Sequence, residues 1–142
     1  MCDAIVVRIL LYPTVDPRTP GNIRFDTTRT EVDMSHDKFA ACIEACNTCA
    51  AACAHCSVAC LSEPDVKMME RCIRLDMDCA EICRAAAAWM ARGSTFAAQL
   101  CKLCAEVCDE CGRECARHQT DHCQECAAAC RACAQECRKM AA

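Results

Sequence analysis

Cysteines recur at alternating steps of three and four residues along most of this chain. Of its 20 cysteines, all but Cys2 lie beyond residue 34. They form four groups: Cys42, Cys46, Cys49, Cys53, Cys56 and Cys60; Cys72, Cys79 and Cys83; Cys101, Cys104, Cys108, Cys111 and Cys115; and Cys123, Cys126, Cys130, Cys133 and Cys137. Such steps place side chains on one face of a helix, so each group predicts one helix with a cysteine stripe. Burying four such stripes together predicts an all-α four-helix bundle with a cysteine-lined core.

Short segments with helix-breaking residues separate the four groups. Ser62 offers a cap before the second helix, with Pro64 inside its first turn, and Gly93 with Ser94 ends that helix and starts the third. The predicted helices span about 36–61, 65–92, 95–118 and 121–140. Because the connections are short, neighbouring helices must run antiparallel, which predicts an up-down-up-down bundle.

Residues 1–34 differ from the rest of the chain. Pro13, Pro17, Pro20 and Gly21 interrupt any regular pattern there, and Cys2 is the one cysteine. We expect an irregular or disordered N-terminal tail at 1–34, followed by the cysteine-rich bundle at 35–142.

Charge and hydropathy exclude several classes of partner. The net charge of −4 arises from well-mixed acidic and basic residues without a clustered basic face, so no nucleic acid is expected. The apolar run at residues 5–12 is interrupted by Arg8 and is too short to span a bilayer, and no export signal is recognisable. The prediction is a cytoplasmic protein with no membrane association, whose thiols stay reduced.

Antiparallel order predicts which cysteines share a level in the core. The levels are Cys60, Cys72, Cys115 and Cys123; then Cys56, Cys111 and Cys126; then Cys53, Cys79, Cys108 and Cys130; then Cys49, Cys83, Cys104 and Cys133. Asp76 interrupts the stripe of the second helix and either accepts hydrogen bonds beside the ligands or leans to solvent.

The two ends of this column are predicted to differ. One end is expected to be an apolar plug that contains Phe39, Met90, Ala97 and Met140, with Trp89, Phe96 and Leu100 nearby. The other reaches His118, His122, Met68 and Met69, whose imidazole and thioether groups suit cuprous ions, and is the predicted mouth of the column. The predicted metal ligands are the 19 bundle cysteines with His118 and His122, whereas His36 and His55 are expected to be structural or solvated.

The charge of a thiolate column favours Cu(I) among the soft metals. One monovalent ion per thiolate leaves the core near neutral, whereas a tetrahedral zinc site with four thiolates carries two excess negative charges. A buffer for zinc or another soft metal, a disulfide or redox scaffold, and a structural core of packed cysteines stay as alternatives. No enzyme is expected, because nucleophilic catalysis needs one activated thiol rather than a lattice of equivalent ones.

The cysteine ladder of the first helix and the run HCQECAAACRACAQECRKMA resemble the bacterial copper storage proteins. The resemblance covers about residues 36–140 and points to the cytosolic branch of that family. It implies a cysteine-lined four-helix bundle that holds many cuprous ions, a homotetramer, and loading through a histidine-lined mouth that matches His118 and His122. The second helix departs from the pattern because it carries only three cysteines.

Overall fold

The computed structural model describes residues 31–141, which form four α-helices. These are α1 (Glu31–Cys60), α2 (Val66–Ala91), α3 (Ala97–Cys115) and α4 (Asp121–Ala141). Strands are absent from this part of the chain. The predicted all-α class is confirmed.

Each helix packs against two neighbours, as at the corners of a square. α1 contacts α2 and α4, and α3 contacts the same two helices, while the diagonal pairs make no close backbone approach within residues 31–141. Antiparallel neighbours on a square make the predicted up-down-up-down bundle, with its axis surrounded by all four cysteine stripes. None of these helices has the length and apolar character needed to cross a bilayer.

The helix boundaries differ from the predictions by a few residues. α1 begins at Glu31, so residues 31–34 of the predicted tail belong to a helix, while residues 1–30 lie outside the described structure. The division into a tail and a bundle therefore stays a prediction. At α2 the predicted Ser62 cap is wrong: Asp65 is the N-cap, its carboxylate accepts from the Met68 amide at 3.3 Å, and Pro64 precedes the helix.

The connection between α2 and α3 contains the predicted C-terminal glycine. Gly93 has a φ of 64°, a left-handed conformation that favours glycine, and its amide donates to the Met90 carbonyl at 3.0 Å. Ser94 then accepts from the Phe96 amide at 3.3 Å, and this extra turn delays the start of α3 to Ala97.

Small side chains bring α3 and α4 close enough for short thiols to meet. A Cβ at Gly112 would lie 3.1 Å from Cys130 Cβ, which is tighter than ordinary contact. Ala127 and Ala134 of α4 are fully buried. Cysteine is shorter than leucine, so a core of cysteine closes only where the helix backbones approach this closely.

Candidate metal centre

The 19 cysteines of the bundle are all buried and all free of disulfides. None is more than 1% exposed, so every thiol of the four stripes faces the bundle axis. Because neutral thiols behave as small apolar groups, this core needs no charge compensation when it holds no metal.

Thiols from different helices lie at distances that suit metal coordination. The sulfur atoms of Cys72 and Cys115 are 3.5 Å apart, those of Cys79 and Cys108 are 3.6 Å apart, and within α3 the step from Cys104 to Cys108 is 4.0 Å. Three or four sulfurs held about 2.3 Å from one ion lie about 3.8–4.0 Å from each other. The column is thus spaced for three-coordinate or four-coordinate ions with little rearrangement.

Groups of four sulfurs succeed one another along the axis. In each group the sulfur atoms all lie within 4.8 Å of one another; the groups include Cys46, Cys104, Cys133 and Cys137; Cys49, Cys83, Cys108 and Cys133; Cys49, Cys53, Cys79 and Cys130; Cys53, Cys111, Cys126 and Cys130; and Cys56, Cys60, Cys72 and Cys123. Several cysteines, such as Cys49 and Cys130, belong to two groups. Four of the groups are thus linked by shared cysteines, and the fifth, at the mouth, is joined to them through Cys115, whose sulfur lies 3.5 Å from that of Cys72 and 3.9 Å from that of Cys111.

The levels predicted from helix order are found in the structure. At one end Cys72 lies 3.5 Å from Cys115 and 3.9 Å from both Cys60 and Cys123. Farther along, Cys83 lies 3.7 Å from Cys104 and 3.8 Å from Cys133, as the antiparallel alignment predicts.

Asp76 lies inside the column, so the alternative that it leans to solvent is wrong. Its side chain is fully buried, and its Oδ1 accepts hydrogen bonds from Cys111 at 3.1 Å and from Cys115 and Cys126 at 3.3 Å, while Oδ2 accepts from Cys72 at 3.6 Å. Burial raises the pKa of Asp76 to about 8, and negative charge at Cys126 acts in the same direction. Near neutral pH this carboxyl is therefore largely protonated in the metal-free protein.

Burial also acts on the thiols near the mouth. It raises the pKa of the Cys60 and Cys123 thiols, because a thiolate without a cation is unfavourable in an apolar core. A metal ion that binds here must displace protons, so its affinity increases with pH.

His122 contacts the thiols at the mouth. Its Nδ1 lies 3.5 Å from the sulfurs of Cys56 and Cys123 and 4.0 Å from that of Cys60, while Nε2 lies 2.9 Å from Glu63 Oε1. A carboxylate on Nε2 favours the tautomer with its proton there, which leaves the Nδ1 lone pair facing the sulfurs. Glu63 was not predicted, because it lies in the α1–α2 connection, where helical periodicity carries no information.

His118 has a different partner. Its Nε2 lies 3.4 Å from Glu114 Oε1, and the same carboxylate accepts from the guanidinium groups of Arg71 at 3.1 Å and Arg117 at 3.2 Å. His118 is therefore part of a cluster centred on a carboxylate beside the column, whereas His122 faces thiols.

Of the other predicted mouth residues, Met69 is buried and Met68 is 69% exposed. His55 is exposed, as expected, and the side chain of His36 lies outside the described residues.

The opposite end is lined largely by apolar side chains, and Met90 contacts a thiol there. Met90 is fully buried, and the Cys101 thiol donates to its Sδ at 3.5 Å. The surrounding side chains are Ala97, which is buried, and Phe39, Leu100 and Met140, which pack partly buried against the core. Phe96 does not belong to the predicted plug, because it is 62% exposed and meets Trp89 edge to face outside it.

Known proteins share both the sequence and the fold. The copper storage protein family matches residues 35–142. The uncharacterized cysteine-rich protein YhjQ of Bacillus subtilis is 51% identical over 102 residues, which are 72% of this chain and 94% of that protein.

Two solved structures of similar proteins extend the comparison. The Cu(I)-bound copper storage protein BsCsp3 superimposes with a TM-score of 0.71 at 50% identity, over 74% of this chain and 99% of that one. A cytosolic copper storage protein from Streptomyces lividans, in a structure with five coppers, gives a TM-score of 0.72 at 45% identity, over 76% of this chain and 95% of that one. With its four thiol stripes and these matches along the whole bundle, the chain belongs to the copper storage protein family.

Proposed function

We propose that this protein stores or sequesters many Cu(I) ions in the cytosol as thiolate complexes along the bundle axis. The observation that carries the proposal is the chain of neighbouring sulfurs along the core, most of them in four-sulfur groups that share members. Membership of the copper storage protein family and the likeness to a Cu(I)-bound structure support it. The cytosolic location is supported by the likeness to the Streptomyces protein.

The proposed ligands are the 19 bundle cysteines and two histidines at the mouth. His122 binds through Nδ1, which already faces Cys56 and Cys123. His118 binds arriving ions after its ring leaves Glu114, so it acts at the opening rather than in the column.

Charge favours Cu(I) over zinc as the stored ion. Among residues 37–141, whose side chains the structure describes, the only buried ionisable groups besides thiols are Asp76 and Glu114, both acids, and no lysine or arginine is buried in the core. A core without cationic side chains cannot offset the surplus charge of zinc sites with four thiolates each, whereas one monovalent ion per thiolate is neutral.

The thiols have a ligand role in this proposal, and no catalytic role is assigned to them. All of them are buried to the same extent, and a single reaction centre would use far fewer thiols. Oxidation to a disulfide core would remove the ligands, so storage also needs a reducing compartment.

An anaerobic titration of the reduced protein with Cu(I), followed by gel filtration and metal analysis, tests the proposal. We expect retention to approach the 19 thiols of the bundle, and those thiols to become unreactive towards alkylating reagents. A parallel titration with Zn²⁺ is the control. Saturation with only a few copper ions, or tighter retention of zinc, would contradict Cu(I) storage and favour a zinc buffer or a structural core.

We also propose a homotetramer, which the family resemblance implies. The outer surface of α1, α2 and the connection between them carries apolar side chains that a monomer leaves in water: Val58 is 65% exposed, Leu61 is 58% exposed and Met77 is 59% exposed. Burying such side chains between copies would stabilise an assembly. Sedimentation equilibrium tests this, and a monomer at micromolar concentration would contradict it.

A further inference from the structure

Met90 continues the ligand stripe of α2 past its last cysteine. Cys79, Cys83, Ala86 and Met90 follow one another at steps of four, three and four residues, so the thioether lies on the same helix face as the thiols. Met90 is fully buried at the end of the column that is opposite His122. The position that ends the α2 stripe is therefore occupied by sulfur.

The contact of Met90 is with a thiol rather than with hydrocarbon alone. Its Sδ lies 3.5 Å from Cys101 Sγ, which equals the shortest thiol–thiol separations in the column. Cys101 in turn neighbours the thiols of Cys137 and Cys42. The sulfurs of Cys42 and Cys137 are 3.7 Å apart. Four sulfur-bearing side chains thus meet at this end.

The chemistry of a thioether suits this position. It is a soft, neutral ligand that binds Cu(I) and adds no negative charge where the stripe of α2 has run out of thiols. If this end were only an apolar plug, leucine would fill the position equally well, because its packing volume is similar to that of methionine.

We propose that Met90 Sδ is a copper ligand and forms, with Cys101 and one of Cys42 and Cys137, a mixed thioether–thiolate Cu(I) site that ends the column. This site rests on the proposed function, because it is the terminal member of the stored copper chain. It replaces the interpretation of Met90 as part of an inert plug.

Selenium absorption spectroscopy of the copper-loaded, selenomethionine-labelled protein tests this site. In the unsubstituted protein we expect a copper atom bonded directly to selenium. In Met90→Leu we expect that copper neighbour to be lost and the protein to retain one copper ion fewer. Met77→Leu is the matched control, because Met77 is 59% exposed and its replacement is expected to leave the copper neighbour of selenium in place.

The outcomes separate this inference from the storage function. Copper retained by the labelled protein without copper near selenium, or a copper shell that persists unchanged in Met90→Leu, overturns the Met90 site and leaves storage intact. Failure of the unsubstituted protein to retain copper overturns storage itself. If Met90→Leu does not fold, a double Met68→Leu and Met69→Leu variant decides: a copper shell that survives this change supports Met90, and one that disappears overturns it.

Discussion

The two ends of the thiol column are built from the same cysteine ladder but finish in different chemistry. At the mouth, His122 faces the sulfurs and is held by Glu63 of a surface connection, beside a cluster of carboxylate and guanidinium groups around Glu114. At the far end, Met90 is fully buried among apolar side chains. The cysteine ladder is common to both ends, so the contrast lies in the last residues, which are polar and charged at the mouth and mostly apolar at the far end.

The largest expected effect is the loss of stability when the buried methionine at the far end, and not the exposed one at the mouth, is truncated. Met90→Ala leaves a cavity in a closed core, so we expect the free energy of unfolding of the reduced, metal-free protein to fall by about 2–5 kcal/mol. Met68→Ala at the mouth removes a side chain that is 69% exposed, and its effect is expected to stay within about 0.5 kcal/mol. Urea denaturation measures both. Equal effects at the two ends would contradict the contrast between them.

The second prediction concerns the buried carboxyl in the half of the column nearer the mouth. The pKa of Asp76 is about 8 in the folded protein and near its usual value of about 3.9 in the unfolded chain. At a pH between these two values, unfolding therefore releases a proton from this carboxyl group. Asp76 therefore stabilises the metal-free fold less as pH rises. Relative to Asp76→Asn, we expect wild-type stability to fall by about 3 kcal/mol from pH 5 to pH 7.5.

Urea denaturation of both proteins across this pH range measures that difference. Met90→Leu at the far end is the control, because it changes no titrating group and is expected to keep the wild-type pH dependence. A constant stability difference between wild type and Asp76→Asn would contradict the raised pKa.

The smallest predicted effect concerns Glu63 as the residue that orients His122. Removing the orienting partner of a ligating histidine typically weakens metal binding about 10–100-fold, so we expect Glu63→Ala to slow copper transfer from a chromophoric chelator by up to about tenfold. Glu63→Gln keeps an oxygen that accepts from Nε2 and is expected to load at nearly the wild-type rate. Total capacity is expected to be unchanged in both variants.

A double variant separates orientation from a general change at the mouth. In a His122→Ala background, Glu63→Ala is expected to have no further effect on the loading rate, because its partner is gone. Additive slowing in the double variant would show that Glu63 acts by some route other than His122.

The bundle and its levels were predictable because the spacing of the cysteines alone indicates which face of each helix points to the core. The contacts between Cys72, Cys115 and Cys123 follow from the steps of three and four and from antiparallel order. Periodicity carries no such information at helix ends, where Asp65 rather than Ser62 caps α2. Local hydrogen bonding with nearby backbone amides decides that choice.

The environments of single polar side chains were harder to predict. His118 and His122 are four residues apart, yet one pairs with Glu114 and the other faces thiols, because the turn before Asp121 lies between them. The sequence left two alternatives for Asp76, because its place on the cysteine stripe does not show whether side chains of neighbouring helices donate hydrogen bonds to it. Only the assembled bundle, which brings Cys111 and Cys115 of α3 and Cys126 of α4 to the axis, places three thiols around its Oδ1.

The sharing of sulfurs between successive groups has a consequence for how the column fills. Cys49 and Cys130 each belong to two groups, so a thiolate that binds one ion is also a candidate ligand for the next. The occupancy of each site then depends on that of its neighbours, and the coupling free energy runs in both directions. We therefore expect copper along the column to behave as a one-dimensional lattice, with a binding isotherm of interacting neighbours rather than a sum of independent sites.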